Sequence, residues 1–167
     1  MPLPDNAAAR PMPILAGLAL ASVEFKLTPG YQMPPASAPA PVNLAMDFAT
    51  ICHRIGERER AVVVEVTIRP NTDAIVPYTG KIAAVATIQG LPVELGAEAA
   101  DEEAMNYGAT VAFSTIRDEF LRLTGMTTFN RLLLPLVPRT ALLAATTFYD
   151  EKGNVLRKLK PAEPATA

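Results

Sequence analysis

From Val42 to Ile51 the chain alternates: Val42, Leu44, Met46 and Phe48 fall between Asn43, Ala45, Asp47 and Ala49. A period of two is the pattern of a strand with one buried face. Ala61 to Arg69 repeats it, with Val62, Val64, Val66 and Ile68 on one side and Ala61, Val63, Glu65 and Thr67 on the other. Its β-branched side chains are stiff at the first torsion and favour a strand over a helix. Two further segments follow the same rule. About 15–27 sets Val23, Phe25 and Leu27 against Ser22, Glu24 and Lys26, and about Pro77 to Ile88 sets Ile82, Ala84, Ala86 and Ile88 on one side. The pattern predicts four strands.

Beyond Gly96 the period changes. Ala109, Phe113, Ile116, Phe120 and Leu123 recur at helical spacing and predict one long helix over Asp101 to Thr124. Asp101, Glu102 and Glu103 stand at its start, where the positive end of the dipole favours acids. Asp118 and Arg122 form an i,i+4 pair on the wet side, and Gly125 ends the helix. Leu132 to Leu143 is apolar but carries Pro135 and Pro138, and a short second helix can begin at Pro138. Thr146 to Leu159 reads either as a hairpin around Asp150 to Asn154 or as a helix end followed by a tail. Thr28 to Pro41 holds five prolines and one glycine, so it is a long crossover loop and not sheet interior. Residues 1–13 and 160–167 are Pro- and Ala-rich tails around a single domain, 14–159. The fold class is α+β: a four-stranded antiparallel sheet with a long crossover loop, packed with one long and one short C-terminal helix.

At 167 residues, half of them apolar, the chain is long enough to bury a core. No run reaches the roughly 18 apolar residues of a spanning helix, so no membrane insertion is expected. A net charge of −2 leaves no electrostatic footprint for nucleic acid. One cysteine suits a reducing, cytoplasmic setting. Arg10 ahead of Ile14 to Ala21 has the outline of a secretory leader. That apolar stretch is short and prolines crowd the segment before it, so a first strand is the better reading.

Candidate chemistry is sparse. His53 is the only histidine, which excludes a multi-histidine metal site, and no Gly-rich phosphate motif occurs. Cys52 and His53 are neighbours in a strand, so their side chains point to opposite faces and do not form a dyad. A hydrolase using Cys52 or His53 is the enzymatic alternative; the reading adopted is no enzyme, no cofactor and no metal. Apolar residues outside regular core elements, Tyr31 and Met33 above all, either cap the sheet or line a groove.

Residues 14–143 resemble the SecB family of protein-export chaperones. LAGLALASVEF, PVNLAMDFAT, ERAVVVEVTIRP and TGKIAAVATIQGL resemble its four strands, and FSTIRDEFLRLTGMTTFNRLLLPLVP resembles its helix and following Leu/Pro run. Phe113, Arg117, Glu119 or its neighbour Asp118, Leu123, Phe129, Leu132, Leu134 and Pro135 carry that match. The resemblance implies an ATP-independent chaperone that binds unfolded polypeptides and preproteins in apolar grooves during protein export and translocation. Its groove positions here are Tyr31, Met33, Leu44, Met46, Phe48, Leu134, Leu136 and Val137. It implies a homo-oligomer, a tetramer built as a dimer of dimers, with the long helix at the inner interface through Gly108, Ala109, Ala112 and Ile116. The SecA motor is the partner the family implies, yet strand four reads Tyr78-Thr79-Gly80-Lys81 and lacks the acid that docks it. SecB-like paralogues that protect an antitoxin, or an interaction subunit dedicated to one partner, are the alternative.

Overall fold

The structure is a computed structural model that describes residues 12–32, 44–71, 76–127, 133–144 and 146–159. Strands β1 (Ile14–Leu27), β2 (Leu44–Gly56), β3 (Glu59–Pro70) and β4 (Tyr78–Gln89) precede helix α1 (Ala97–Gly125). The short helix α2 (Arg139–Leu143) and strands β5 (Thr146–Tyr149) and β6 (Val155–Lys158) follow. The sheet order is β1-β4-β3-β2-β5-β6. All pairings are antiparallel except β2 with β5, which is parallel. The expected four-stranded sheet therefore has six strands. Thr146 to Leu159 takes its hairpin form and extends the sheet beyond β2, because Thr50 to His53 offers a free ladder edge that Thr146 to Tyr149 satisfies.

Several boundaries move for physical reasons. The charged stretch Arg54 to Arg60 is mostly strand: β2 runs through Gly56, a two-residue turn at Glu57 and Arg58 follows, and β3 starts at Glu59. Arg60 carries this inward, because its guanidinium donates to the backbone oxygens of Gly56, Glu57 and Glu59 and holds the turn shut. Helix α1 begins at Ala97, one turn before Asp101, and Pro138 caps α2 as expected. Arg122 pairs with Glu119 at 2.6 Å instead of Asp118. At Thr28-Pro29-Gly30-Tyr31 the Tyr31 N–H donates to the Thr28 carbonyl, and Gly30 takes φ +72°. Proline then glycine is the sequence a type II turn requires.

Helix α1 crosses one face of the sheet diagonally. Its first half lies over β2 and β3, where the Cys52 thiol approaches the Asp101 carbonyl. Its second half lies over β4 and β1, where Phe120 packs edge-on against Phe25 and Tyr78. The core is the layer between them: Val62, Val64, Val66, Ile68, Ile82, Ala84, Ala86 and Ile88 below, Ala104, Met105, Ala109, Ala112, Phe113, Ile116 and Phe120 above. Residues 133–144 return along α1 and roof β2, with the Thr50 hydroxyl donating to the Leu142 carbonyl.

Candidate functional site

The groove positions expected from sequence divide into three kinds. Leu44, Met46 and Phe48 share the helix-side face of β2, since they pair with Pro70, Ile68 and Val66 of β3. All three are half-buried, and Phe48 packs edge-to-face on Phe113 with 5.9 Å between ring centroids. Val137 is half-buried beside the same core, and Leu136 is 81% exposed. Leu134 is not groove surface. It is buried in the core, because the Arg117 guanidinium donates to its carbonyl at 3.0 Å and pins the segment to α1. That bond links the two halves of the motif on which the family resemblance rests. Tyr31 sits half-buried in the turn after β1, and Met33 lies outside the described residues, as do Phe129 and Leu132.

The four helix positions assigned to an oligomer interface are corrected. Gly108, Ala109, Ala112 and Ile116 all face the chain's own sheet and are buried there. Small residues were read as allowing a neighbouring helix to approach, but it is β3 and β4 that approach. A Cβ on Gly108 would stand 2.8 Å from Cβ and Cγ2 of Val62 and 3.3 Å from Ile88. The opposite side of α1 shows Tyr107, Thr110 and Ser114 instead, and both hydroxyls donate back to carbonyls one turn earlier.

A second apolar surface was not foreseen. Leu18, Leu20, Val23 and Leu27 lie on the helix-side face of β1, because they pair with Ala86, Ala84, Ile82 and Tyr78. Helix α1 does not reach them, and Leu18, Leu20 and Val23 are 42%, 39% and 41% exposed. The strand's other edge pairs with no strand among the described residues. The sequence signal was present in the spacing of these residues, but only the diagonal of α1 decides which half of the sheet is left bare.

The electrostatics gather at the other end of the helix. Asp101, read from sequence as a dipole-complementing acid, is buried in the second turn of α1. Its carboxylate accepts from Arg54 at 2.7 Å and from Arg60 at 2.6 Å, and Arg60 is itself buried. The carboxylate accepts from both guanidiniums, so the buried charges are paired and hydrogen-bonded, the condition on which buried charge is tolerated. The network clamps the β2–β3 turn to α1. Nearby, Arg157 of β6 reaches Glu102 at 3.2 Å and stacks over the Phe148 ring at 4.3 Å, which ties β6 to the same helix end.

Burial first, then the Asp101 charge, pushes the Cys52 thiol up to about 12. It is the neutral thiol that packs there. His53 lies on the opposite sheet face, edge-on to Tyr149, so the two neighbours form no dyad. Among the described residues no cluster of three or more His, Cys, Asp or Glu side chains is placed to hold a metal ion, and no helix is long and apolar enough to cross a membrane. Lys81, at the strand-four position that lacks the docking acid, is ion-paired with Glu65 at 2.8 Å on the face away from the helix.

A long helix laid diagonally on an antiparallel sheet ordered β1-β4-β3-β2, with a short helix returning over β2, defines a SecB-like fold. The chain is similar in structure to the Mycobacterium tuberculosis Rv1957 SecB-like chaperone, solved in complex with a ChAD peptide from the Rv1956 HigA1 antitoxin. The TM-score is 0.55 at 14% identity, over 76% of this chain and 91% of that one. A protein of unknown function from Streptococcus agalactiae also aligns, at 14% identity over 77% of this chain and all of that one, with a TM-score of 0.37. No family model matches the sequence, and no curated protein matches it.

Proposed function

We propose that the protein is an ATP-independent chaperone that holds unfolded polypeptides on apolar surface beside α1. The observation that carries the reading is uncovered apolar side chain on both flanks of the helix. Leu18, Leu20 and Val23 lie on one side; Met46, Phe48 and the exposed Leu133 and Leu136 lie on the other. Apolar surface of this extent on a soluble chain marks an interaction site more often than a packing defect. Weak contacts spread over such a surface hold many sequences and require no catalytic group. The β1 edge adds a reason to assemble: a long apolar edge strand invites pairing with another chain. A homo-oligomer in the cytoplasm, a dimer of dimers as in the export chaperones, accommodates it.

One observation favours a narrower second reading. The similar Rv1957 structure holds an antitoxin peptide, and the Lys81–Glu65 pair occupies the place of a free docking acid. Both support a chaperone for a single client such as an antitoxin, over one that passes preproteins to SecA. The test is aggregation of a chemically unfolded client on dilution, followed by light scattering without nucleotide. Suppression at stoichiometric chaperone is expected. Undiminished scattering at several-fold molar excess overturns the reading, and suppression confined to one client out of a panel selects its narrower form.

A further inference from the structure

Strand β5 pairs with β2 only at Thr50 to His53. The outer edge of β2 from Leu44 to Ala49 therefore carries no strand among the described residues. At about 3.3 Å per residue this bare lane is roughly 20 Å long. An open ladder edge presents alternate N–H and C=O groups that another extended backbone can satisfy, and proteins usually blunt such edges with proline, lysine or an inward charge. Leu44 to Ala49 has none of these. Its one charge, Asp47, lies on the face away from the helix and is paired with Arg69 at 2.5 Å.

The chain itself shows what this edge accepts. β5 lies beside β2 as a parallel strand, and its Phe148, opposite Cys52, enters the core on the helix side. Along the bare half, Met46 and Phe48 stay half-buried on that same side, packed against the core and open to the lane. We infer that Leu44 to Ala49 receives an extended segment of the unfolded client as an added strand, collinear with β5, with alternate uncharged apolar side chains seated over Met46 and Phe48. Main-chain hydrogen bonds would then supply affinity without regard to sequence, and the pocket beneath would select apolar residues at every second position. A second copy fits the lane less well: its own bare apolar edge, β1, has 14 residues and the lane is closed at one end by Thr146. The inference rests on the chaperone reading and specifies how its groove works.

The test uses the full chain and a short peptide of alternating valine and threonine with a lysine at each end. Two isomers are made, one N-methylated at the valines and one at the threonines. A strand has two edges, so in the parallel orientation that β5 takes, which the added strand continues, one isomer loses the edge that faces β2 and the other keeps it. The expected result is a roughly tenfold or greater loss of affinity for one isomer and parent-like binding by the other, since several hydrogen bonds of about 1 kcal/mol each are at stake. Amide exchange within Leu44 to Ala49 should slow when the parent peptide binds. Equal binding by both isomers, or exchange that the peptide leaves unchanged, overturns strand addition. Client aggregation is measured on the same preparation. Intact suppression with equal isomer binding removes the added strand alone; failed suppression removes the chaperone reading and the added strand with it.

Discussion

Replacing Gly108 by alanine tests the packing of α1 on the sheet most directly, because two effects of similar size oppose each other. In a helix interior, alanine is favoured over glycine by about 1 kcal/mol. Against this, the new Cβ meets Cβ and Cγ2 of Val62 at 2.8 Å and Cγ1 of Ile88 at 3.3 Å. Val62 cannot swing aside, since its Cβ is fixed to the backbone of β3, and its side chain is fully buried. The helix must lift by several tenths of an ångström along a face that also seats Met105, Ala109 and Ala112. With Val62 fixed at that distance the cost lies in the upper part of the overpacking range, about 2–3 kcal/mol. The net expectation for Gly108→Ala is a loss of about 1–2 kcal/mol, or roughly 2–8 °C in Tm for a chain of this size. Thermal unfolding by circular dichroism at one fixed protein concentration measures it, because assembly makes Tm concentration-dependent. Gly108→Ala equal to or more stable than wild type would refute the reasoning. So would a variant whose monomer is unchanged in stability while its oligomer dissociates, which would return Gly108 to a subunit interface.

Two other outcomes follow from the same geometry. Asp101→Asn leaves Arg54 and the buried Arg60 sharing a neutral partner, and breaking a buried ion pair from one side costs about 3–5 kcal/mol; urea unfolding should show a midpoint far below wild type, and a loss under 1 kcal/mol would mean that the network is solvated. Leu20→Glu places a charge on the bare helix-side face of β1, 39% exposed in the single chain; light scattering should show a smaller assembly than wild type with the fold retained, and an unchanged mass would exclude β1 from the interface.

The long elements were legible because their periodicity is long. β3 spells its register over twelve residues, and each valine that the alternation assigned to the core is buried there. β5 and β6 have four residues each, too few for a period to separate a hairpin from a frayed helix end. Their place in the sheet depends on a vacant edge of β2, whose Thr50 pairs with Thr146 across most of the chain, which no local pattern reports. Asp101 failed for a related reason. An acid near a helix start looks the same whether it faces water or two arginines, and its partners Arg54 and Arg60 lie 47 and 41 residues away in sequence. Gly108, Ala109 and Ala112 were correctly read as a close-approach surface, but a stripe of small residues does not say what approaches. Of the positions proposed for a groove, the shared helix-side face of Leu44, Met46 and Phe48 was readable from alternation, whereas the burial of Leu134 goes with a bond to its carbonyl, a group that every residue carries.

The two flanks of α1 differ in a way that bears on the proposed holding of clients and on the proposed assembly. On the β2 side the returning segment 133–144 roofs the sheet, so the surface left open is a narrow lane with a backbone edge and a shallow apolar floor. On the β1 side no described segment returns, and the exposed residues form a broad strip that continues into the sheet edge. Ile14 to Val23 holds no charge and no proline, so nothing along that edge opposes pairing with an identical strand. A narrow lane suits one extended segment, and a broad self-complementary edge suits another subunit. Assembly through β1 would leave the β2 lanes of both subunits at the outer ends of a continuous sheet, separated by its full width. A single unfolded chain could then engage both, and the second contact would form at high effective concentration provided the intervening residues span the gap. Affinity should therefore rise with client length in a step, at the length that first bridges two lanes, while a monomeric variant such as Leu20→Glu should show no step.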